Sequence, residues 1–204
     1  MNQCPHQLDL LQWICGMPVK VQAVCHEGKW HNIEVEDDVT AYLEFANGAT
    51  GIFVTTTGDY PGTNRFEITL ERGKLVCDKS KLIFYVLDES ERKVCFEAAK
   101  GMPEIGGHYE EPEIEKENLK HAGVLRAFAA NILHGQPLVA RGEEGIRSLS
   151  IANAMYLSSW LGKPVTLPVD EELFLQMLNE KRASSKAKEK TEDISMDFDG
   201  TFGS

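Results

Sequence analysis

A histidine and an aspartate lie three residues apart near the start of the sequence, in the stretch N-Q-C-P-H-Q-L-D. An imidazole that titrates near neutral pH can take a proton from a hydroxyl group, and a carboxylate can accept a hydrogen bond from another hydroxyl. At about 100° per residue, His6 and Asp9 project about 60° apart on a helix, with Trp13 between them. These three side chains are therefore predicted to face one pocket.

A structural interpretation of the same pair competes with this one. Buried polar groups commonly satisfy each other, so His6 would then be a core histidine whose ring is bonded to the carboxylate of Asp9. The spacing alone leaves both interpretations open, and the rest of the chain has to decide between them.

The element that must position these side chains is a helix that runs roughly from Pro5 to Cys15. Proline suits the first helical position because its missing N–H has no partner there, and Gly16 is typical of a helix end. Little of this helix is expected to face water. Its apolar side chains are Leu8, Leu10, Leu11, Ile14 and Cys15.

Strands are predicted to follow this first helix. Residues Val19 to Cys25 alternate between apolar and polar side chains, and further alternating runs flank Asn47-Gly48, a strong hairpin signal. Alternation continues as far as E-R-K-V-C-F-E-A-A, which favours an antiparallel meander of six or seven strands. A loop rich in Gly, Pro and Glu, G-M-P-E-I-G-G-H-Y-E-E-P-E-I-E-K-E-N, closes this region.

Helices return after that loop. One is predicted to end at Gly135 and a second at Gly162; the short strand P-V-T-L-P-V and a last helix, D-E-E-L-F-L-Q-M-L-N-E-K-R-A, come next. The predicted fold is α/β of the α+β type, with a large, predominantly antiparallel open sheet and helices packed on one face, and without a Rossmann domain. Residues 1–182 are expected to form one domain, and residues 183–204 a disordered charged tail.

Composition excludes several classes of function. The formal net charge of −11 and the lack of a basic stripe argue against a nucleic-acid partner. No apolar run is long enough for a membrane span and no signal segment leads the chain, so a cytoplasmic location is expected. Five cysteines, an odd number without a C-x-x-C, indicate reduced thiols and give no basis for a metal site.

Three segments of the sequence resemble one family of enzymes. N-Q-C-P-H-Q-L-D-L-L-Q-W-I-C-G resembles the segment that opens the C-terminal domain of the Gfo/Idh/MocA oxidoreductases, the glucose-fructose oxidoreductase and inositol dehydrogenase group. D-Y-P-G-T-N-R-F-E-I-T-L-E-R-G-K-L-V is similar to that domain's central strands. The stretch from H-A-G-V-L-R-A-F to L-G-K-P-V-T-L-P resembles its closing helices and final strand, so the likeness covers most of residues 1–169 in family order.

The resemblance implies an NAD- or NADP-dependent oxidoreductase that acts on a sugar, a polyol or a derivative. The family's Rossmann glycines and E-K-P lysine are absent here. We therefore expect this chain to be the C-terminal half of such an enzyme, inactive alone and without bound cofactor. The family also implies a homodimer or homotetramer formed through the open sheet face.

The family's site pattern is D-x-x-x-H-x-x-D, in which the first acid and the histidine act around the substrate hydroxyl. The resemblance assigns proton transfer to His6 and a substrate-hydroxyl contact to Asp9. The first position is Asn2, which can orient a substrate but cannot relay a proton at neutral pH. This departure keeps an alternative open, a non-catalytic ligand-binding or assembly module derived from the same domain.

Other residues are weaker candidates for substrate contacts. Trp13 shares the predicted pocket, and Tyr60, with Arg65, flanks the P-G-T-N loop that could reach the site or a dimer seam. His121 lies on a helical stripe with Leu125, where a packed or surface histidine competes with a substrate contact. The remaining histidines lie in predicted loops or helix ends and are expected to be solvent-exposed.

Overall fold

The computed structural model describes residues 4–78, 81–99, 101–113 and 119–186. They divide into two compact units. The first runs to Gly58 and resumes at Gly142, and the second is Asp59–Arg141. In chain order the elements are α1 (Pro5–Cys15), β1 (Pro18–Glu27), β2 (Glu36–Phe45), β3 (Thr50–Thr56), β4 (Arg65–Leu70), β5 (Gly73–Asp78), β6 (Lys81–Leu87), α2 (Glu91–Glu97), β7 (Gly107–Glu110), α3 (Lys120–His134), α4 (Gly145–Leu161), β8 (Val165–Thr166) and α5 (Glu171–Ser184), with a 3-10 turn at Gly142–Glu144.

The first unit is built on an antiparallel sheet of strand order β3-β2-β1-β8. Helices α1 and α4 pack against each other, and α4 lies along β1. Alternate residues of β1 and β2 point into this layer, as expected for a sheet with one buried face. The largest fully buried side chains include Leu8, Val21, Val39, Leu43, Ile151 and Met155.

The hairpin predicted at Asn47-Gly48 is confirmed. It joins β2 to β3, and Gly48 has a φ of +85°, a left-handed conformation that favours glycine. The side-chain Oδ1 of Asn47 accepts a hydrogen bond from the backbone N–H of Ala49 at 3.0 Å. Local turn chemistry therefore fixes the register of β2 against β3.

The second unit contains an antiparallel sheet of order β4-β5-β6-β7 together with α2 and α3. Two local predictions were wrong here. The segment predicted as a strand, E-R-K-V-C-F-E, is helix α2, because Ser90 Oγ accepts the N–H of Lys93 at 3.2 Å and caps the first turn. The predicted loop contains β7, whose Tyr109 ring packs in a tilted arrangement against Tyr85 of the neighbouring strand, with the ring centroids 4.7 Å apart.

For the residues that the structure describes, the predicted fold class is confirmed: antiparallel sheet with helices, and no Rossmann fold. One detail needs correction, because the described strands lie in two four-stranded sheets rather than in one large sheet. The division falls between β3 and β4, where the glycines and proline of T-G-D-Y-P-G-T-N break the alternating pattern. In the first unit, α4 lies along β1 and α1 packs on α4, while Tyr42, Ile52 and Val54 are exposed on the outer sheet face.

The last helix, α5, extends to Ser184, two residues beyond the predicted domain end. Most of the predicted disordered tail, residues 187–204, lies outside the described residues. The assignment of residues 1–182 to one functional domain stays a prediction. Where the structure describes the chain, none of its helices combines the length and apolarity that a membrane crossing needs.

Candidate functional site

Helix α1 carries the candidate site, and the limits predicted for it are confirmed. Pro5 occupies the first turn, and Gly16, with a φ of +81°, ends the helix while its N–H bonds to the carbonyl of Gln12. Leu8 and Gln12 are the buried side chains of this helix, which packs against α4. The buried side fixes which residues face outward.

His6, Asp9 and Trp13 are all exposed on the outward face of α1. Trp13 has 71% of its surface accessible. The core-histidine interpretation does not describe the structure, since the ring of His6 is exposed and makes no hydrogen bond with another described residue. The helix therefore presents an imidazole, a carboxylate and an indole on one side, a set that can bind a hydroxylated molecule and take a proton from it.

Asp9 is held by a residue that the sequence interpretation missed. Gln12 donates a hydrogen bond from Nε2 to Asp9 Oδ1 at 2.9 Å, and only 5% of Gln12 is exposed. The available signal was its position on the same side of the helical wheel as Leu8, where a polar side chain needs a partner. The carboxylate that faces outward is thus anchored from the buried side of the helix.

The apolar surroundings of these groups also differ from expectation. Leu10 and Ile14 were predicted to be largely buried, yet both are exposed beside Trp13. The reason is the direction of packing, because α4 covers the arc around Leu8 and Gln12 and leaves the opposite arc open. An apolar surface therefore adjoins the polar pair.

The remaining candidates lie elsewhere. Asn2 is outside the described residues. Tyr60, 97% exposed, and His121, exposed in the first turn of α3, belong to the second unit, so their roles as substrate contacts stay predictions. Arg65 is engaged by Glu67 and Asp78 at 2.6 Å and 3.1 Å, which fits a role in the β4–β5 pairing.

A second polar pair lies on the inner side of the first unit. Tyr156 of α4 donates a hydrogen bond from its hydroxyl to Glu36 Oε1 of β2 at 2.5 Å. Burial, and next the bond to Glu36, raise the pKa of Tyr156 well above its ordinary value, so the phenol stays protonated. Its ring stacks on Trp160, which stacks on Phe174 of α5. We interpret this series of contacts as the tie between α4, α5 and the sheet.

The loop between β1 and β2 is held by one carboxylate. Asp37 is buried and accepts the backbone N–H groups of Lys29, Trp30 and His31 at 2.9, 2.7 and 2.8 Å. Burial raises the pKa of this carboxyl, but the backbone hydrogen bonds outweigh it and lower the pKa to about 2. His31, predicted to be exposed, is about half exposed, and its Nδ1 lies 3.3 Å from Asp37 Oδ2.

Among the described residues, no three His, Cys, Asp or Glu side chains form a group that could hold a metal ion. Cys4 immediately precedes α1 and is buried. Burial raises the pKa of the Cys4 thiol, which disfavours the thiolate that a metal or an electrophile would need. Cys4 therefore acts as a packing residue.

The described residues do not fit a dinucleotide. Every strand pairing among them is antiparallel, and no glycine-rich turn leads from a strand into the N-terminus of a helix. A pyrophosphate needs such a turn, because its charge is bound by the free N–H groups of the helix start.

Comparison with known proteins confirms the resemblance stated from the sequence. Residues 1–76 match the family model described as the GFO/IDH/MocA C-terminal domain. The fold of the described residues matches that of the Gfo/Idh/MocA C-terminal domain. No curated protein gives a significant sequence match.

Solved structures share this fold across most of the chain. WlbA dehydrogenase from Bordetella pertussis, in complex with NADH and UDP-GlcNAcA, is 24% identical with a TM-score of 0.60, over 83% of this chain and 46% of that one. WlbA from Chromobacterium violaceum, also with NADH and UDP-GlcNAcA, is 27% identical with a TM-score of 0.59 and the same coverage. Aldose-aldose oxidoreductase from Caulobacter crescentus, complexed with glycerol, is 22% identical with a TM-score of 0.61, over 80% of this chain and 45% of that one. The chain thus spans about half the length of these relatives.

Proposed function

We propose that this chain is the substrate-binding domain of an NAD- or NADP-dependent oxidoreductase that acts on a sugar, a polyol or a derivative. The observation that carries the proposal is the exposed face of α1, where His6, Asp9 and Trp13 lie together on a helix anchored by its other side. The match of residues 1–76 to the oxidoreductase domain model supports it. Two similar enzymes are seen with NADH and a nucleotide sugar.

Each of these three side chains has a separate task in the proposed reaction. His6 takes the proton of the substrate hydroxyl as the carbinol carbon loses hydride, which requires its neutral form. Asp9 accepts a hydrogen bond from a second hydroxyl and so fixes the orientation of the ring. Trp13 offers an apolar face to the C–H groups of the sugar, while Asn2, Tyr60 and His121 are proposed as further contacts. The nicotinamide that accepts the hydride is held outside the described residues.

A homodimer or homotetramer is proposed to form through the outer face of the first sheet. Two rows of side chains cross this face, Gln22–Tyr42–Ile52 and Val24–Thr40–Val54, and Ile52 is 76% exposed. Two copies of such a face can pair about a two-fold axis, each contributing the same surface. Large exposed apolar patches are uncommon on proteins that remain monomeric.

The alternative, a non-catalytic ligand-binding or assembly module, is favoured by one residue. Asn2 occupies the position of the family's first acid, and an amide cannot relay a proton at neutral pH. This alternative predicts sugar binding without turnover. The oxidoreductase proposal predicts both, so an activity measurement separates the two.

Ligand-observed NMR on this chain tests the binding part of the proposal. The panel consists of UDP-GlcNAcA, levoglucosan, glycerol and myo-inositol. We expect saturation transfer to at least one member of this panel, weakened in Asp9→Asn and unchanged in His26→Asn, which changes an exposed histidine of β1 away from α1. No transfer to any member of the panel, or transfer that Asp9→Asn leaves unchanged, contradicts the proposed site.

A further inference from the structure

Gln12 combines two properties that are rarely found together in one side chain of a surface helix. It is almost fully buried, with 5% of its surface exposed, yet its amide group reaches Asp9 on the outward face of the same helix. Of the three polar residues that are buried in the described chain, Gln12 is the one that bonds to a proposed substrate contact. The other two, Asp37 and Ser158, bond to backbone groups.

We propose that Gln12 is a positioning residue that holds the carboxylate of Asp9 in the orientation that receives a substrate hydroxyl. This inference rests on the proposed function, since it assigns a role to Gln12 only if Asp9 binds the substrate. It goes further by naming which oxygen of Asp9 is used. Gln12 takes up one acceptor site of Oδ1, so the inference assigns the substrate hydroxyl to Oδ2, which has no hydrogen-bond partner among the described residues.

The burial of Gln12 distinguishes its bond to Asp9 from a bond between two exposed side chains of a helix. Two exposed side chains three residues apart bond weakly, because each loses rotamer freedom to do so. Packing of α1 against α4 has already fixed the side chain of Gln12, so its bond to Asp9 orders one side chain instead of two. The carboxylate is thus held in place before the substrate arrives, which lowers the entropic cost of binding.

The neutral amide of Gln12 also leaves Asp9 a strong hydrogen-bond acceptor. A lysine or arginine at this position would form an ion pair with Asp9 and weaken its free oxygen as an acceptor. A neutral N–H satisfies one oxygen and leaves the full negative charge on the carboxylate. The ligand group that fits such an oxygen is a hydroxyl donor, in agreement with a polyol and not with a phosphate or carboxylate at this point.

A double-mutant cycle on this chain distinguishes positioning from packing. Gln12→Met keeps the volume and removes the donor, and affinity for levoglucosan and UDP-GlcNAcA is measured by NMR titration in the wild-type and Asp9→Ala backgrounds. We expect Gln12→Met to weaken binding about three- to tenfold, the worth of one hydrogen bond, and to have no further effect once Asp9 is absent. Gln7→Met, the same change at an exposed position of α1, should leave affinity unchanged.

Equal weakening in both backgrounds, or no weakening at all, overturns the role of Gln12 while the proposed function stands. Absence of sugar binding by the wild-type chain overturns the proposed function and this inference with it. A second measurement does not depend on the variant folding. On titration of the wild-type chain with the sugar, the side-chain amide resonances of Gln12 should shift and those of Gln7 should not; an unmoved Gln12 resonance in the presence of binding contradicts the inference.

Discussion

The hydroxyl of Ser158 links the last turn of α4 to β1 across 135 residues of sequence. Its Oγ accepts the backbone N–H of Ala23 at 3.0 Å and donates to the carbonyl of Lys163 at 2.8 Å. Strand β8 pairs with only two residues of β1, so the backbone N–H groups of β1 beyond that pairing need another partner. Ser158 and its neighbour Ser159, which accepts the N–H of Cys25 at 2.9 Å, provide that partner. This edge contact supports the layer on which α1 rests.

Replacing Ser158 with alanine should therefore destabilise the first unit. The change leaves the N–H of Ala23 without its acceptor, and a buried backbone group without a partner costs about 1–3 kcal/mol. Ser148→Ala, which removes an exposed bond within α4, should change the free energy of unfolding by no more than about 0.5 kcal/mol. Urea unfolding of the two variants measures the difference. Equal stabilities would show that water replaces the hydroxyl at the β1 edge.

Acid should weaken the fold in a pH range that Asp37 sets. Its pKa is lowered from 3.8 to about 2 in the folded chain, so the folded state favours the ionised carboxylate. The stabilisation is fully present above about pH 4 and is lost as the pH falls from there toward 2. Asp37→Asn should lower stability at neutral pH and flatten this part of the pH profile, as followed by thermal unfolding. Asp59→Asn, at an exposed position, is the control, and an unchanged profile in Asp37→Asn would refute the account of this loop.

The parts of the fold that were predicted from sequence are those with local signals. Pro5 and Gly16 limit α1, and Asn47-Gly48 fixes the hairpin, because each conformation depends on the residue itself. Helix α2 was missed because a seven-residue segment satisfies the strand and helix periods alike. Its cap, Ser90, is the signal that decides between them.

The candidate site was only partly predictable for a different reason. The shared face of His6, Asp9 and Trp13 follows from helical geometry, so spacing was sufficient. Which arc of α1 is buried depends on α4, more than a hundred residues away, and no local pattern contains that information. The exposure of Leu10 could therefore be found only in the structure.

Self-association through the outer sheet face is open to a direct test. Light scattering at tens of micromolar should show a dimer or tetramer, because Tyr42, Ile52 and Val54 present an apolar surface. Ile52→Lys should dissociate it by placing a charge in the interface, while Leu175→Lys, an equally drastic change at an exposed position of α5, should not. A wild-type monomer at this concentration would contradict the interface.

Replacing the amide of Asn2 with a carboxylate is predicted to increase activity. Asn2→Asp in the full-length enzyme that we propose should raise the turnover of polyols, because a carboxylate at position 2 can accept and pass on a proton and an amide cannot. Asn2→Ser is the matched control, since it offers hydrogen bonds without an ionisable group. Nicotinamide reduction followed by absorbance measures both. Equal rates in the wild type and the aspartate variant would mean that the amide is not what limits the chemistry.

The central claim, that α1 carries the proton-transfer group of a sugar oxidoreductase, is tested most directly by turnover of His6→Asn in the full-length protein. General acid-base catalysis contributes about 10²–10⁴-fold, so turnover should fall by two to four orders of magnitude. The free energy of unfolding should change little, because His6 is exposed and makes no hydrogen bond with another described residue. Turnover per folded molecule that matches the wild type would contradict the claim and leave the fold alone as established.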